Sequence, residues 1–401
     1  MPKTVIVVPT YWTWESGAPP QPGDAIYDHP TPLDQPGTLA RLLESLSAIA
    51  RPEFAVLVLT AATNPRLEAR AEAKVEELIA PFRSAFPIAQ FAAGDLKELR
   101  KRVEGLGFDP SLLSLRGYPN IRNLQLVVPH VLGAEVVVAL DDDEVVEPDY
   151  LARAVEFIGR EREGRRVLGV AGFYLDGEGN LLLPEQPPTG NIFLDKSAIM
   201  NEATRRLLDR PGRLVETPIA FGGNMVFHRD LFTQVPFDPG ITRGEDIDYV
   251  MNARLAGFDF WLDKELAIIH LPPEAYGALP YTKLHQDVFR FIYEREKLRL
   301  AAERDDVRAL PVEALDPYPG RFLRDDVVEQ ALEALRSKAT PQMVALYSPP
   351  EAAIEAAKQR AARIAPRYFA FARQWPRLMA ALAGDRALRD RLRRKLETLI
   401  P

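Results

Sequence analysis

The chain reads as an α/β protein, a mostly parallel sheet flanked by helices, followed by a helical C-terminal region. Three observations predict this. Short β-branched runs alternate with amphipathic stretches over the first 140 residues. The run Glu135 to Leu140 is apolar without alternation, as in a strand buried on both faces. From about residue 285 the hydrophobic period turns helical and stays so to the end. A chain of 401 residues, 47% of them hydrophobic, exceeds what one compact core usually organises. Residues 1–284 are therefore expected to form the α/β domain and 285–401 a helical region.

In order along the chain, residues 3–8 predict a first strand closed by Pro9, and Leu39 to Ile49 a helix reached through a long Pro/Gly-rich loop. Phe54 to Leu59 predicts a strand, Leu67 to Phe86 a helix, Ile88 to Phe91 a short strand and Asn123 to Val131 a helix. This β-α-β alternation implies parallel pairing. Beyond Leu140, Arg153 to Arg160 reads as helix, Val167 to Leu175 as strand, 176–192 as loop and Phe258 to Ile269 as strand. In the helical region, breaks are expected at 311–319, at 349–350 and near Pro366 and Pro376.

Composition removes several classes of function. There is no cysteine, which excludes disulfides, thiolate nucleophiles and zinc-thiolate or iron-sulfur sites, so any metal rests on oxygen or histidine ligands. No apolar run approaches the roughly 20 residues of a membrane-spanning helix, and the N-terminal segment enters a strand without a signal-peptide pattern. A cytoplasmic protein without a transmembrane segment is expected. Charge is uneven: residues 351–401 hold 12 Lys and Arg against 5 Asp and Glu, while the whole chain carries −7. The acidic body argues against general nucleic-acid binding. The basic tail suits an anionic membrane surface, an acidic partner or a solvated helix face.

Two constellations carry chemistry. Leu140-Asp141-Asp142-Asp143 sets three carboxylates at the end of a buried strand, where they repel one another unless something positive arrives. Hard cations such as Mg²⁺ or Mn²⁺ take one or two carboxylates and complete their shell with substrate phosphate and water. The alternative is an acidic turn capping the next helix. Open α/β sheets bind ligands at the carboxyl ends of their strands, so Pro9, Thr10 and Tyr11 should face the same crevice. The second constellation is Arg243-Gly244-Glu245-Asp246-Ile247-Asp248, acids at a helix start that serve as caps or as chemistry. Phe221-Gly222-Gly223-Asn224 precedes it, and His270 follows at the end of an apolar strand.

The order of strand-1 Pro-Thr, Arg122-Asn123 before a helix, the DxD-type cluster, Gly-Gly-Asn, Gly-Glu-Asp-x-Asp and a later histidine resembles family-2-type GT-A glycosyltransferases over roughly residues 3–275. The resemblance implies a nucleotide-diphosphate-sugar donor and a divalent metal. It makes Asp143 the metal ligand, sets Asp141 near the donor ribose or the metal with Asp142 beside it, and gives His270 to metal or diphosphate. Arg122 and Asn123 would hold the nucleotide or diphosphate. Gly222, Gly223 and Asn224 would let the backbone approach donor sugar and acceptor. Asp246, or alternatively Glu245, would be the base of an inverting transfer.

The sequence departs from the family where strand 2 ends. The usual base-reading acid is missing from Leu59-Thr60-Ala61-Ala62-Thr63-Asn64, which leaves Thr60, Thr63 and Asn64 as base-bonding candidates. Trp12, Trp14 and Tyr27 in the first loop either stack on a ligand or anchor that loop. The acceptor class stays open among small molecules, glycans and lipid-linked groups. Rival readings are a retaining synthase of a small sugar-glycerate solute, a nucleotidyltransferase and a non-catalytic nucleotide-sugar-binding protein. Against the nucleotidyltransferase, Thr10 to Gly17 has no Gly-rich phosphate loop. The helical region is expected to serve acceptor enclosure or association into a homo-oligomer.

Overall fold

The computed structural model describes residues 3–19, 26–50, 53–273 and 280–397. The strands are β1 (Thr4–Thr13), β2 (Thr31–Pro32), β3 (Phe54–Ala62), β4 (Ile88–Phe91), β5 (Val136–Ala139), β6 (Glu144–Val145), β7 (Glu161–Arg162), β8 (Arg165–Arg166), β9 (Gly169–Leu175), β10 (Leu214–Glu216), β11 (Met225–His228) and β12 (Trp261–His270). The helices are α1 (Leu39–Ser47), α2 (Glu68–Ile79), α3 (Ala93–Gly105), α4 (Tyr118–Leu132), α5 (Tyr150–Glu156), α6 (Lys196–Asp209), α7 (Arg229–Phe232), α8 (Glu245–Leu255), α9 (Pro280–Ala302), α10 (Val327–Lys338), α11 (Pro341–Tyr347), α12 (Pro350–Ala383) and α13 (Arg386–Glu397).

The main sheet runs β10-β12-β9-β11-β5-β1-β3-β4. β5, β1, β3 and β4 are parallel, as the alternation predicts, and β11 inserts antiparallel between β5 and β9. This is the α/β architecture expected from the sequence, a mostly parallel sheet flanked by helices and followed by a helical C-terminal region. Strand alternation sends Val5 and Val7 to one face and Ile6 and Val8 to the other, and both faces are covered. α1 and α2 cover the second face. The first face carries α3 and α4 and, in one continuous apolar core with them, the buried sides of α9, α10, α12 and α13.

β6 turns back along β12 and pairs Glu144 with His270. That register sets the end of β12 beside the acidic turn after β5.

Some elements differ from expectation. The helix expected to open at Asn123 starts at Tyr118, so Arg122 and Asn123 lie inside it. The helix expected over Arg153 to Arg160 is Tyr150–Glu156, and that expected over Leu67 to Phe86 stops at Ile79, with a 3₁₀ turn around Pro81. Neither Pro366 nor Pro376 breaks α12, which runs unbroken from Pro350 to Ala383. An interior proline costs a helix about 3 kcal/mol. Burial of Tyr368, Phe369, Phe371 and Trp375 on either side offsets it.

Candidate active site

A cleft of about 310 Å³ opens at the carboxyl ends of the central strands. It collects Asp141, Asp142, Asp143 and His270 with Tyr11, Arg122, Gly222, Glu245 and Asp246, although these residues span most of the α/β region.

The acidic turn relieves its own repulsion in two ways. Burial and the Asp143 charge push the Asp142 carboxyl up to about 8, while the Thr10 hydroxyl donates to it at 2.6 Å. Glu144, wholly buried, is likewise held well above the usual carboxylate range by its burial and by Asp141 and Asp143. The other two carboxylates each face a basic side chain. Asp141 receives Arg122 in a bidentate pair at 2.7 and 2.9 Å. Asp143 lies 3.3 Å from His270 Nε2. Burial alone would lower the His270 pKa; the hydrogen bond and charge of Asp143 outweigh it and hold the imidazole above its ordinary value. The Tyr174 ring lies 5.1 Å from that of His270.

Arg122 is the hub of the cleft. Its side chain is 4% exposed and also donates through Nε to Glu245 at 3.2 Å and through Nη1 to Gln125 at 3.3 Å. The expectation that it grips a diphosphate is therefore modified, because its donors are committed to holding Asp141 and Glu245 in place. Burial raises the Glu245 pKa against the pull of Arg122. Asp246 is freer: half-buried at the cleft, it accepts from the Gly222 N–H at 3.1 Å and the Ile247 N–H at 2.8 Å.

Several expected donor contacts serve the scaffold instead. Asn123 is fully buried and exchanges two 2.9 Å hydrogen bonds with the Phe237 backbone. Asn224, also fully buried, accepts from the Tyr150 hydroxyl and donates to the Phe173 carbonyl. Neither amide reaches the cleft. Pro9 lies buried within the β1–β3 ladder. The glycines are required by close packing inside the protein: a Cβ on Gly222 would sit 2.8 Å from Arg122 Nη2, and one on Gly223 1.8 Å from Glu144 Oε1. Of the base-bonding candidates, Thr60 bonds Gln90, Thr63 bonds Thr13 and Asn64 accepts from the Arg66 N–H. Trp12 is wholly buried, and Tyr27 donates to the Leu115 carbonyl and packs with Tyr11 and Tyr118, so both anchor the loop.

One wall was not foreseen. Lys196, Arg243, Arg290 and Tyr318 also line the cleft. The cations are paired with acids, Lys196 with Asp287, Arg243 with Asp28 and Arg290 with Glu294. Arg243 stood beside a recognised motif. Lys196 and Arg290 lie on amphipathic helices, and nothing local marks them.

Two sides could ligate a divalent cation, the carboxylate of Asp143 and the imidazole of His270. Among the described residues no group of three or more His, Asp or Glu side chains converges on one point. A hard-oxygen and imidazole pair at a cleft mouth suits Mg²⁺ or Mn²⁺ that takes its remaining ligands from phosphate and water.

No protein-family model and no curated protein matches the chain. Among solved structures it is similar to the mannosyltransferase PcManGT from Pyrobaculum calidifontis in complex with GDP-Man and Mn²⁺, at 15% identity over 91% of this chain and 87% of that one, TM-score 0.40. It is similar to GalNAc-T7 with UDP, GalNAc and Mn²⁺ at 12% identity over 73% of this chain and half the length of the other, TM-score 0.40. A mycobacterial protein matches at 17% identity over 72% and 74% of the two chains, TM-score 0.35.

Proposed function

We propose that the chain is a metal-dependent glycosyltransferase that moves a sugar from a nucleotide diphosphate to an acceptor hydroxyl with inversion. The observation that carries this reading is the meeting, in one cleft, of the Asp143–His270 pair with Asp246, held by the backbone N–H groups of Gly222 and Ile247. Asp143 and His270 would hold Mg²⁺ or Mn²⁺, which supplies Lewis-acid stabilisation of the departing diphosphate. Arg122 fixes Asp141 and Glu245 and so shapes the floor on which the donor rests.

Asp246 takes the acceptor proton as the acceptor oxygen bonds to the anomeric carbon. The bond from that carbon to the diphosphate oxygen breaks, and its electron pair leaves with the diphosphate. Glu245 is the weaker candidate for the base, because its carboxylate is buried against Arg122. Within this reading, residues 1–284 supply the donor chemistry and the helical region one wall of the cleft, through Arg290 and Tyr318.

A thermal-shift screen of nucleotide diphosphates and nucleotide sugars, with Mn²⁺ and with EDTA, tests the reading. At least one donor should raise Tm with Mn²⁺ and fail to do so with EDTA or in Asp143→Asn. Donor binding and transfer that ignore both EDTA and Asp143→Asn would overturn the metal assignment.

A further inference from the structure

A second cavity, of about 610 Å³, lies away from the cleft, between α12, the turn at Asp109–Leu112 and the segment Asp238–Gly240. Arg360, Arg363 and Arg367 line it, along with Tyr368 and Phe371. Spacings of three and four residues put the three arginines on one face of α12. That arrangement sets like charges side by side, and burial together with the Arg363 charge lowers the Arg360 pKa.

Most arginines of this protein are matched by a nearby acid. These three form no ion pair among the described residues, and Arg360 rests instead over the Phe289 ring at 4.2 Å. The two acids at the cavity do not neutralise them. Asp109 is turned into its own 3₁₀ turn and accepts from the Ser111 N–H at 2.8 Å. Asp238 is buried, 3.0 Å from Lys297 Nζ, and accepts from the Tyr293 hydroxyl at 2.7 Å. The cavity thus joins uncompensated guanidinium groups to an apolar lining of Leu112, Pro239, Ile364 and Phe371.

We propose that this cavity is a binding site for a ligand that carries a phosphate group on an apolar body, the guanidinium fork taking the phosphate oxygens and the α12 aromatics the remainder. The site does not depend on the function assigned to the cleft. The phosphate belongs either to a free phosphorylated metabolite or to a phospholipid headgroup.

The test uses the full chain in EDTA, with pyrophosphate followed by calorimetry as the soluble probe. Vesicles containing phosphatidylglycerol, pelleted beside vesicles of phosphatidylcholine alone, are the lipid probe. The double variant Arg363→Gln/Arg367→Gln alters exposed side chains, and its melting curve should match that of the parent. Its affinity for the responding probe should fall at least about tenfold, on the scale of one lost charge-assisted hydrogen bond per arginine. Arg377→Gln/Arg391→Gln, which removes the same charge from outside the cavity, should bind like the parent. Pyrophosphate binding lost only in the cavity variant assigns the site to a soluble phosphate. Selective loss of phosphatidylglycerol binding assigns it to a headgroup. If neither probe binds, or if both double variants weaken binding equally, the proposal is overturned.

Discussion

Glu245 and Asp246 are neighbours in sequence yet are held by different things. Arg122 grips the first, while among the described residues the backbone N–H groups of Gly222 and Ile247 orient the second. Asp246→Asn should therefore lower kcat by on the order of 10²–10⁴ with little change in donor affinity, the signature of a lost general base. Glu245→Gln should act mainly through the Arg122 network and cost less in kcat. Steady-state kinetics on both variants, with the product anomer read by NMR, decide this; a retained anomeric configuration would sink the inverting mechanism. Gly223 makes a second residue-scale case, because its missing Cβ is occupied by Glu144 and Tyr174. Gly223→Ala should destabilise the fold by about 1–3 kcal/mol, the usual range for overpacking, and urea denaturation would measure it.

Single side chains also mark how far the sequence could be read. The acidic turn and His270 could be singled out because hydrophilic groups at the ends of apolar strands stand out against their surroundings, and Asp246 because it falls in a run of acids at a helix start. Asn123 and Asn224 were misread because a motif records that an amide is present and not which backbone it bonds. Lys196 and Arg290 gave no signal, since a charge on an amphipathic helix usually points to water.

At the scale of elements, α8 and α9 are bolted together by a buried triad. Lys297 on α9 pairs with Asp248 on α8 and with Asp238 in the preceding loop. Burial pushes the Asp248 carboxyl up to about 7 despite Lys297, with Asp238 and Glu294 adding to the rise. A carboxyl raised on folding binds more protons in the native than in the unfolded state. Its contribution is full below the unfolded carboxylate pKa and is lost as pH climbs toward 7. Asp248→Asn removes that loss. The difference in Tm, variant minus parent, should rise from pH 4 to pH 8, and a flat difference would contradict the assignment.

Elements were legible where periodicity was strong, as in β1, β3, β5 and α1. The helix α3, with its charged Lys97-Glu98-Leu99-Arg100-Lys101-Arg102 stretch, and the four-residue β11 were not. A short strand hidden behind Gly-Gly-Asn shows no alternation to detect, yet it is what reverses the sheet beside β5.

On the scale of the whole molecule, the apolar stripe of the C-terminal helices covers the chain's own body. Trp375 Nε1 donates to the Phe232 carbonyl at 2.8 Å, His130 Nε2 lies 2.7 Å from the Met379 carbonyl, and Arg102 and Lys395 reach Asp385 and Asp95. Removal of residues 341–401 should therefore expose the buried face of α4 and part of α9. The shortened chain should bind a hydrophobic dye and lose its near-ultraviolet circular dichroism. A soluble, cooperatively melting product would show that the α/β region stands alone.

The same contacts bear on synthesis. A ribosome delivers β1 to β5 and α4 long before α12, so the apolar side of α4 must wait, uncovered, for helices more than two hundred residues behind it. Most of the sheet can assemble during that interval, but the core cannot close until α12 has emerged. Maturation of the cleft is thereby tied to the emergence of α12: a polypeptide stalled between Tyr318 and Trp375 would carry every residue that lines the cleft and still lack the support that fixes α4, and Arg122 with it.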